Sequence, residues 1–348
     1  EDDKDEKVTV SCEEVWNRGS YENRGEDNFS VAHIRIVYKD YHLQELILNL
    51  LYSTTNVFCY SIDKKASAIF KEQMYNLSQC FPNIHIASVE YQVDSAGHNM
   101  DRAFLSCMSL IRKIPHWQYA ITMQNHDMPI KTNEEMLAIL KVLNGSNSID
   151  LVQPFSSRIP DDRDWSFKAL QLFKNTSAND DRVLQITKGN VGSVHSRQFV
   201  EFLIDKINST TFLSRFDKVI YGNDELYFPT LNADDNVGKF KMHEKILAVS
   251  SFASCYSHFY RHNTCIYGYK DLKVLKNDRH LFANKVLPSV DYTGIVCWAK
   301  YLAHRATIKS HEQSIPLKIY ANMPAVRFNK KRTFWKKNLS KFNCATGN

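Results

Sequence analysis

Apolar and polar residues follow two rhythms along the first half of the chain. Val31–Tyr38 ("VAHIRIVY") is rich in β-branched residues and reads as a strand. Leu43–Tyr52 instead carries apolar residues at the i, i+3, i+4 spacing of a helix. The rhythms then alternate: strand at Asn56–Asp63, helix at Lys65–Leu77, strand at Ile84–Glu90, helix at Met100–Ile114, strand at Tyr119–Gln124. A helix is predicted to start at Thr132 or Asn133, with acids in its first turn that suit the helix dipole. Asp150–Phe155 reads as another strand, residues 156–190 as a polar irregular excursion, residues 189–196 as strand-like and Arg197–Ile207 as a helix. The first 27 residues are polar and read as irregular.

Strands alternating with helices at roughly 20–30-residue intervals predict a parallel α/β sheet. Ligands of such sheets bind beyond the carboxyl ends of the strands, where Asp63 and the "QNHDMP" segment fall. No GxGxxG or GxxxxGK[ST] follows a predicted strand, which disfavours a dinucleotide-binding Rossmann enzyme and a P-loop NTPase. With eleven glycines in the chain, a Gly-rich phosphate cradle is not evident, so basic side chains are expected to hold any phosphorylated ligand.

Composition narrows the class. The 348 residues are 43% hydrophobic and 24% charged, an ordinary globular balance. The net charge of +6 is mild and scattered except in the basic tail "RFNKKRTFWKKN", which reads as a solvated segment rather than a nucleic-acid site. No apolar run approaches the ~20 residues of a membrane helix, and "EDDKDEK" reads as a solvated acidic start rather than a signal peptide. The eight cysteines show no CxxC spacing, so a zinc site is not expected. Sequons stand at Asn28, Asn76, Asn144, Asn175, Asn208 and Asn338. With an even cysteine count they favour a secretory-pathway protein over a cytosolic one.

The stretch "YGNDELYFPTLN" places Asp224 beside Glu225 among aromatics. Adjacent positions on a helix point about 100° apart, so the two acids do not form a side-by-side pair. Asn223 or Asp224 is expected to cap or orient the turn. Glu225 is then either a dipole-favouring acid or a partly desolvated general base. "DRD" at Asp162–Asp164 reads as solvated loop, and Asp234 with Asp235 as a surface turn.

Several blocks carry a resemblance: "FCYSIDKKA" (Phe58–Ala66), "LSCM" (Leu105–Met108), "WQYAITMQNHDMPIKTNEEM" (Trp117–Met136), "YGNDELYFPTL" (Tyr221–Leu231), "CIYGYKDLKVLKNDRHLFANK" (Cys265–Lys285) and "VDYTGIVCWAKYL" (Val290–Leu302). In this order, over residues 31–302, they resemble the core-2/I-branching β-1,6-N-acetylglucosaminyltransferases, a family that also includes peptide O-xylosyltransferases. The resemblance implies a GT-A-type glycosyltransferase fold: a Rossmann-like mixed sheet flanked by helices in one elaborated, disulfide-bonded domain. It implies a UDP-GlcNAc donor, a glycan or glycoprotein acceptor, inverting transfer and no divalent metal or other cofactor. Its cellular setting is the Golgi lumen, in a type II membrane protein anchored before residue 1. The expected organisation is a stem at 1–27, a catalytic domain at 28–305 and a basic extension at 306–348.

Residue by residue, Glu225 falls on the family's catalytic base in "[S]PDE[FL]". Lys285 matches the lysine that contacts the diphosphate, and Asp63 the nucleotide-contacting aspartate of "[HV]D[RK]K". The family's arginine position holds His262 here, so Arg261, one residue earlier, is expected to serve. Trp165 matches an acceptor-side position, although the basic run around it in the family is missing. His98 and Asn99 replace a "YASWSR"-like segment near the donor, which keeps UDP-xylose open as the alternative donor. A catalytically silent lumenal sugar-binding protein is the rival reading from another class. Cys12–Cys80, Cys59–Cys107 and Cys255–Cys265 match family disulfides. The family's stem partner of Cys297 has no counterpart here, and Cys344 is expected in its place.

Overall fold

A computed structural model describes residues 8–21, 29–159, 162–217, 219–234, 237, 248–249, 255–307 and 315–342. Its centre is a five-stranded sheet in the order β3-β2-β1-β4-β6. The strands are β1 (Ser30–Val37), β2 (Val57–Ile62), β3 (Ile84–Ile86), β4 (Trp117–Met123) and β6 (Ser193–Ser196), while the two-residue β5 (Met128–Pro129) belongs to a second, small sheet. The first four are mutually parallel, and β6 runs antiparallel to β4 at the edge. This is the mixed sheet that the resemblance implied; the alternating pattern predicted its parallel strands and not the antiparallel edge.

The sheet is buried on both faces, which explains its near-continuous apolar strands. Along β1, Val31 and Val37 join one core while Ala32, Ile34 and Ile36 join the other. Along β2, Phe58, Tyr60 and Ile62 oppose Val57 and Cys59 in the same way. Helices α1 (Cys12–Arg18), α2 (Tyr41–Leu51), α3 (Ala68–Gln79), α4 (Met100–Ile111) and α5 (Asn133–Leu143) precede or connect these strands. Thr132 and Glu135 form a capping box at the start of α5, close to where the sequence placed it.

Three expectations change. The described part of the N-terminal segment, residues 8–21, holds a helix: Ser11 and Glu14 build a capping box for α1, and Val15 is fully buried. Arg18 clasps Glu45 at 2.8 and 2.9 Å, so this segment is fastened to the sheet domain. Asp150–Phe155 is not a ladder strand; it makes one isolated bridge, Val152 to Lys188. The described part of the 156–190 excursion is no detached loop, because Phe167, Leu170, Leu172 and Leu184 pack into the core.

Disulfides join Cys12–Cys80, Cys59–Cys107 and Cys255–Cys265, as the resemblance implied. The second ties β2 to α4. Cys297 carries no disulfide among the described residues, and Cys344 lies outside them. Of the sequons, Asn144 and Asn175 are exposed, Asn76, Asn208 and Asn338 are half-buried, and Asn28 lies outside the described residues. The helices Leu317–Ala321, Pro324–Lys330 and Arg332–Lys337 hold the basic tail, whose Lys330, Lys331 and Lys337 are exposed. Among the described residues, no helix is long and apolar enough to cross a membrane.

Candidate active site

The strand order reverses direction between β1 and β4, the switch point at which open α/β sheets bind ligands. The segments leaving these strands are sewn together there. Buried Arg35, near the end of β1, donates to the carbonyls of Gln124, Asn125 and Asp127 at 3.0, 3.1 and 3.1 Å. Asn125 Oδ1 accepts from Tyr38 N–H at 2.8 Å, and Asp40 pairs with His126 at 2.6 Å. Asp63 follows β2 and is buried; its backbone N–H bonds Val37 O at 2.9 Å, and its Oδ1 accepts from Lys65 N–H at 2.9 Å.

Lys285 comes to the same end of the sheet. Asn284 Nδ2 donates to Asp127 Oδ1 at 2.6 Å. Burial pushes the Lys285 ammonium below the usual lysine range; the Asp127 charge counters this and the Arg261 charge adds to it. Arg261 lies in a β-hairpin, Tyr260–Arg261 against Thr264–Cys265. His262 and Asn263 form its two-residue turn, at φ 50° and 60°. The turn therefore consumes His262, whereas Arg261 stays on the strand. The Cys255–Cys265 disulfide closes the hairpin's base, and Tyr267 N–H bonds Lys285 O at 2.9 Å. The structure thus brings the Arg261 charge into the electrostatic neighbourhood of Lys285.

Glu225 ends a short 3-10 turn, Asn223–Glu225. Gly222 begins it at φ +77°, a conformation that favours glycine; a Cβ there would stand 2.9 Å from Glu225 Oε2 and 2.5 Å from Arg158 Nη1 and would displace those side-chain ends. Arg158 and Lys188 both pair with Glu225 Oε2, the lysine at 3.1 Å. Oε1 makes no hydrogen bond among the described residues, and the side chain is 20% exposed. The backbone is fixed too, since Gly189 N–H donates to Glu225 O at 2.8 Å. Sequence reading missed both cations. "FSSRIP" and "TKGN" carry no motif, and their partner is far along the chain.

Asp224 does not cap the turn, and neither does Asn223, whose Nδ2 bonds Val219 O at 3.1 Å. Asp224 is buried at 7% exposure. Burial, and then the Glu225 charge, push it up to about 7 from 3.8. Asp101 is pushed well above the usual carboxylate range by burial and by the Asp224 charge. Folded Asp224 keeps its proton up to about pH 7 while the unfolded carboxyl loses it near 3.8, so its favourable contribution is full below about pH 3.8 and is lost as pH rises from there through about 7. Replacing Asp224 by Asn removes the charge that must be buried. Asp224→Asn is expected to raise the melting temperature at pH 8, by a margin worth up to ~4 kcal/mol, and to change it little at pH 3, below the titration of the unfolded carboxyl. A gain of equal size at both pH values would contradict the burial argument.

The remaining candidates fall elsewhere. Trp165 stacks on Phe216, with centroids 5.2 Å apart, and meets Phe212 edge-on at 6.1 Å. Packing thus occupies one face of the Trp165 ring. Asp162 and Asp164 are exposed, Asp164 accepting from Ser166 N–H at 2.8 Å, in keeping with a solvated loop. Asp234 is not on a surface turn: it is 5% exposed and accepts from Gln185 N–H at 3.1 Å, while Asp235 lies outside the described residues. One described cluster has metal-like spacing, Cys255, Cys265 and Asp271, but its two sulfurs are joined to each other and offer no thiolate.

Asp63, Asp127 and the partly buried Lys285 gather past the carboxyl ends of a mostly parallel sheet, the arrangement of an α/β enzyme that handles a small polar ligand. The chain belongs to the Core-2/I-Branching enzyme family, whose sequence model matches residues 31–276. It is a glycosyltransferase. The β-1,3-galactosyl-O-glycosyl-glycoprotein β-1,6-N-acetylglucosaminyltransferase of bovine herpesvirus 4 (strain LVR140) is 30% identical over 82% of this chain and 70% of its own length. The mouse enzyme of that name numbered 3 is 27% identical over 86% and 75%. The crystal structure of S. aureus TarS 1-349 in complex with UDP aligns with 88% of this chain and 75% of its own, at 10% identity and a TM-score of 0.32. A likeness that low carries no argument.

Proposed function

We propose that the protein is an inverting, metal-independent transferase that moves GlcNAc from UDP-GlcNAc to the 6-hydroxyl of a glycan acceptor, in the Golgi lumen. The observation that carries this reading is the asymmetry of Glu225: both cations hold Oε2, which leaves Oε1 to accept a proton. In the reaction, the acceptor O–H gives its proton to Oε1 and the oxygen attacks the anomeric carbon. The bond from that carbon to the diphosphate oxygen breaks, and UDP leaves with the electron pair. The leaving charge builds beside Lys285 and Arg261, fixed cations that need no reorganisation. Asp63, buried at the end of β2, is assigned to the nucleotide.

The test is transfer from a panel of UDP-sugars to a core-1 acceptor with and without EDTA. GlcNAc transfer that survives EDTA is expected, with a β-1,6 product. Loss in EDTA would overturn metal independence, and transfer from UDP-xylose alone would overturn the donor assignment.

A further inference from the structure

Between β3 and α4 runs the loop Asp94–Asn99, which the proposed mechanism leaves unused. It grips the loop that carries Glu225. Gly222 N–H and Asn223 N–H both donate to the Ala96 carbonyl, at 2.8 and 3.1 Å. Gly97, at φ +89°, lies flat against the Asp224 carboxyl; a Cβ there would stand 2.1 Å from Asp224 Oδ1. His98 spans the two loops, with Nδ1 2.7 Å from Asp94 Oδ2 and Nε2 3.0 Å from Val219 O. A carboxylate and a carbonyl are both acceptors, so the ring makes both bonds only by donating from both nitrogens. Behind this contact, Arg102 of α4 clasps Asp217 through two bonds of 2.7 and 2.9 Å.

The same loop is tied to the donor end of the site. Met100 N–H bonds Gly97 O at 3.2 Å, Gln124 Nε2 lies 3.8 Å from Met100 Sδ, and Asn284, next to Lys285, donates to Gln124 Oε1 at 3.4 Å. Resting on the reading of Glu225 as the base, we infer that Asp94–Asn99 is a positioning loop for that base, with His98 as its pin. His98 touches no reacting atom; it fixes the backbone at Val219 and, through Ala96, at Gly222 and Asn223. A displacement of the base by about 1 Å costs up to ~10²-fold in rate without touching donor recognition.

The test compares wild type, His98→Ala and His98→Gln. His98→Ala is expected to lower kcat by about 10- to 10²-fold at unchanged donor KM, and to speed hydrogen exchange at the Gly222 and Asn223 amides. His98→Gln, whose amide can still donate to Val219 O, is expected to recover part of both. An unchanged kcat, a change confined to KM, or unchanged exchange at those amides would each overturn the inference. Full activity in Glu225→Gln would instead remove the base assignment, and the exchange measurement would still report whether His98 holds the loop.

Discussion

Replacing Glu225 by Gln is expected to lower kcat at least ~10²-fold, with cooperative unfolding retained. The change keeps the side chain's size and one oxygen, but an amide has no useful basicity toward a hydroxyl proton. A structural cost comes with it: Glu225 is 20% exposed, its partners Arg158 and Lys188 are 24% and 19% exposed, and partly buried pairs are screened much less than exposed ones. A 10²-fold loss of rate corresponds to ~2.7 kcal/mol of barrier, so rate and stability are read separately. The comparison that isolates the base is single-turnover transfer at saturating donor and acceptor, alongside thermal unfolding. Full activity in the variant would take Glu225 out of the chemistry, and loss of cooperative unfolding would assign the effect to the fold instead.

The sheet was legible because of its double burial. Strands covered on both faces leave runs such as "VAHIRIVY" and "VFCYSI", and the helices between them keep the 3.6-residue rhythm. Where that physics is absent, reading failed. Asp150–Phe155 resembles a strand in composition, yet it has a single bridging partner. The start of α1 was signalled by Ser11 and Glu14, the S-x-x-E of a capping box, but its polar surroundings masked it. In residues 156–190 the buried Phe167, Leu170, Leu172 and Leu184 are spaced too irregularly to show a face.

The site was legible in a different way. Asp63 followed from the rule about strand ends, and "QNHDMP", which contains Asp127, was marked by the same rule. Glu225, Lys285 and Arg261 came from resemblance, not from any pattern physics imposes on sequence. Arg158 was not found because an ion pair across 67 residues leaves no periodic trace. Asp234 misled for the opposite reason: two adjacent acids look solvated unless the backbone N–H groups that bind one of them are known. Likewise the exchange of His262 for Arg261 looked like a departure. The hairpin shows why it need not be one: the turn claims two residues of positive φ, and the residue before it keeps its place on the strand.

Lys285→Ala is expected to cost about 10²–10³-fold in kcat, the scale of losing one preorganised charge at a developing anion. In the ligand-free protein the Lys285 ammonium is held below its usual range chiefly by burial, with Arg261 adding to the effect and Asp127 opposing it. An arriving diphosphate reverses that balance, because its charge favours the ammonium. UDP binding therefore takes up a proton on the alkaline side, and wild-type affinity for UDP is expected to fall there as pH rises. Lys285→Arg keeps its charge over the whole range and should flatten the fall, even if its bulkier head reduces affinity overall. Calorimetric titration of UDP across neutral and alkaline pH distinguishes the outcomes. A wild-type affinity that does not change with pH, or an alkaline fall that persists in Lys285→Arg, would show that another group carries the proton and that Lys285 does not face the diphosphate.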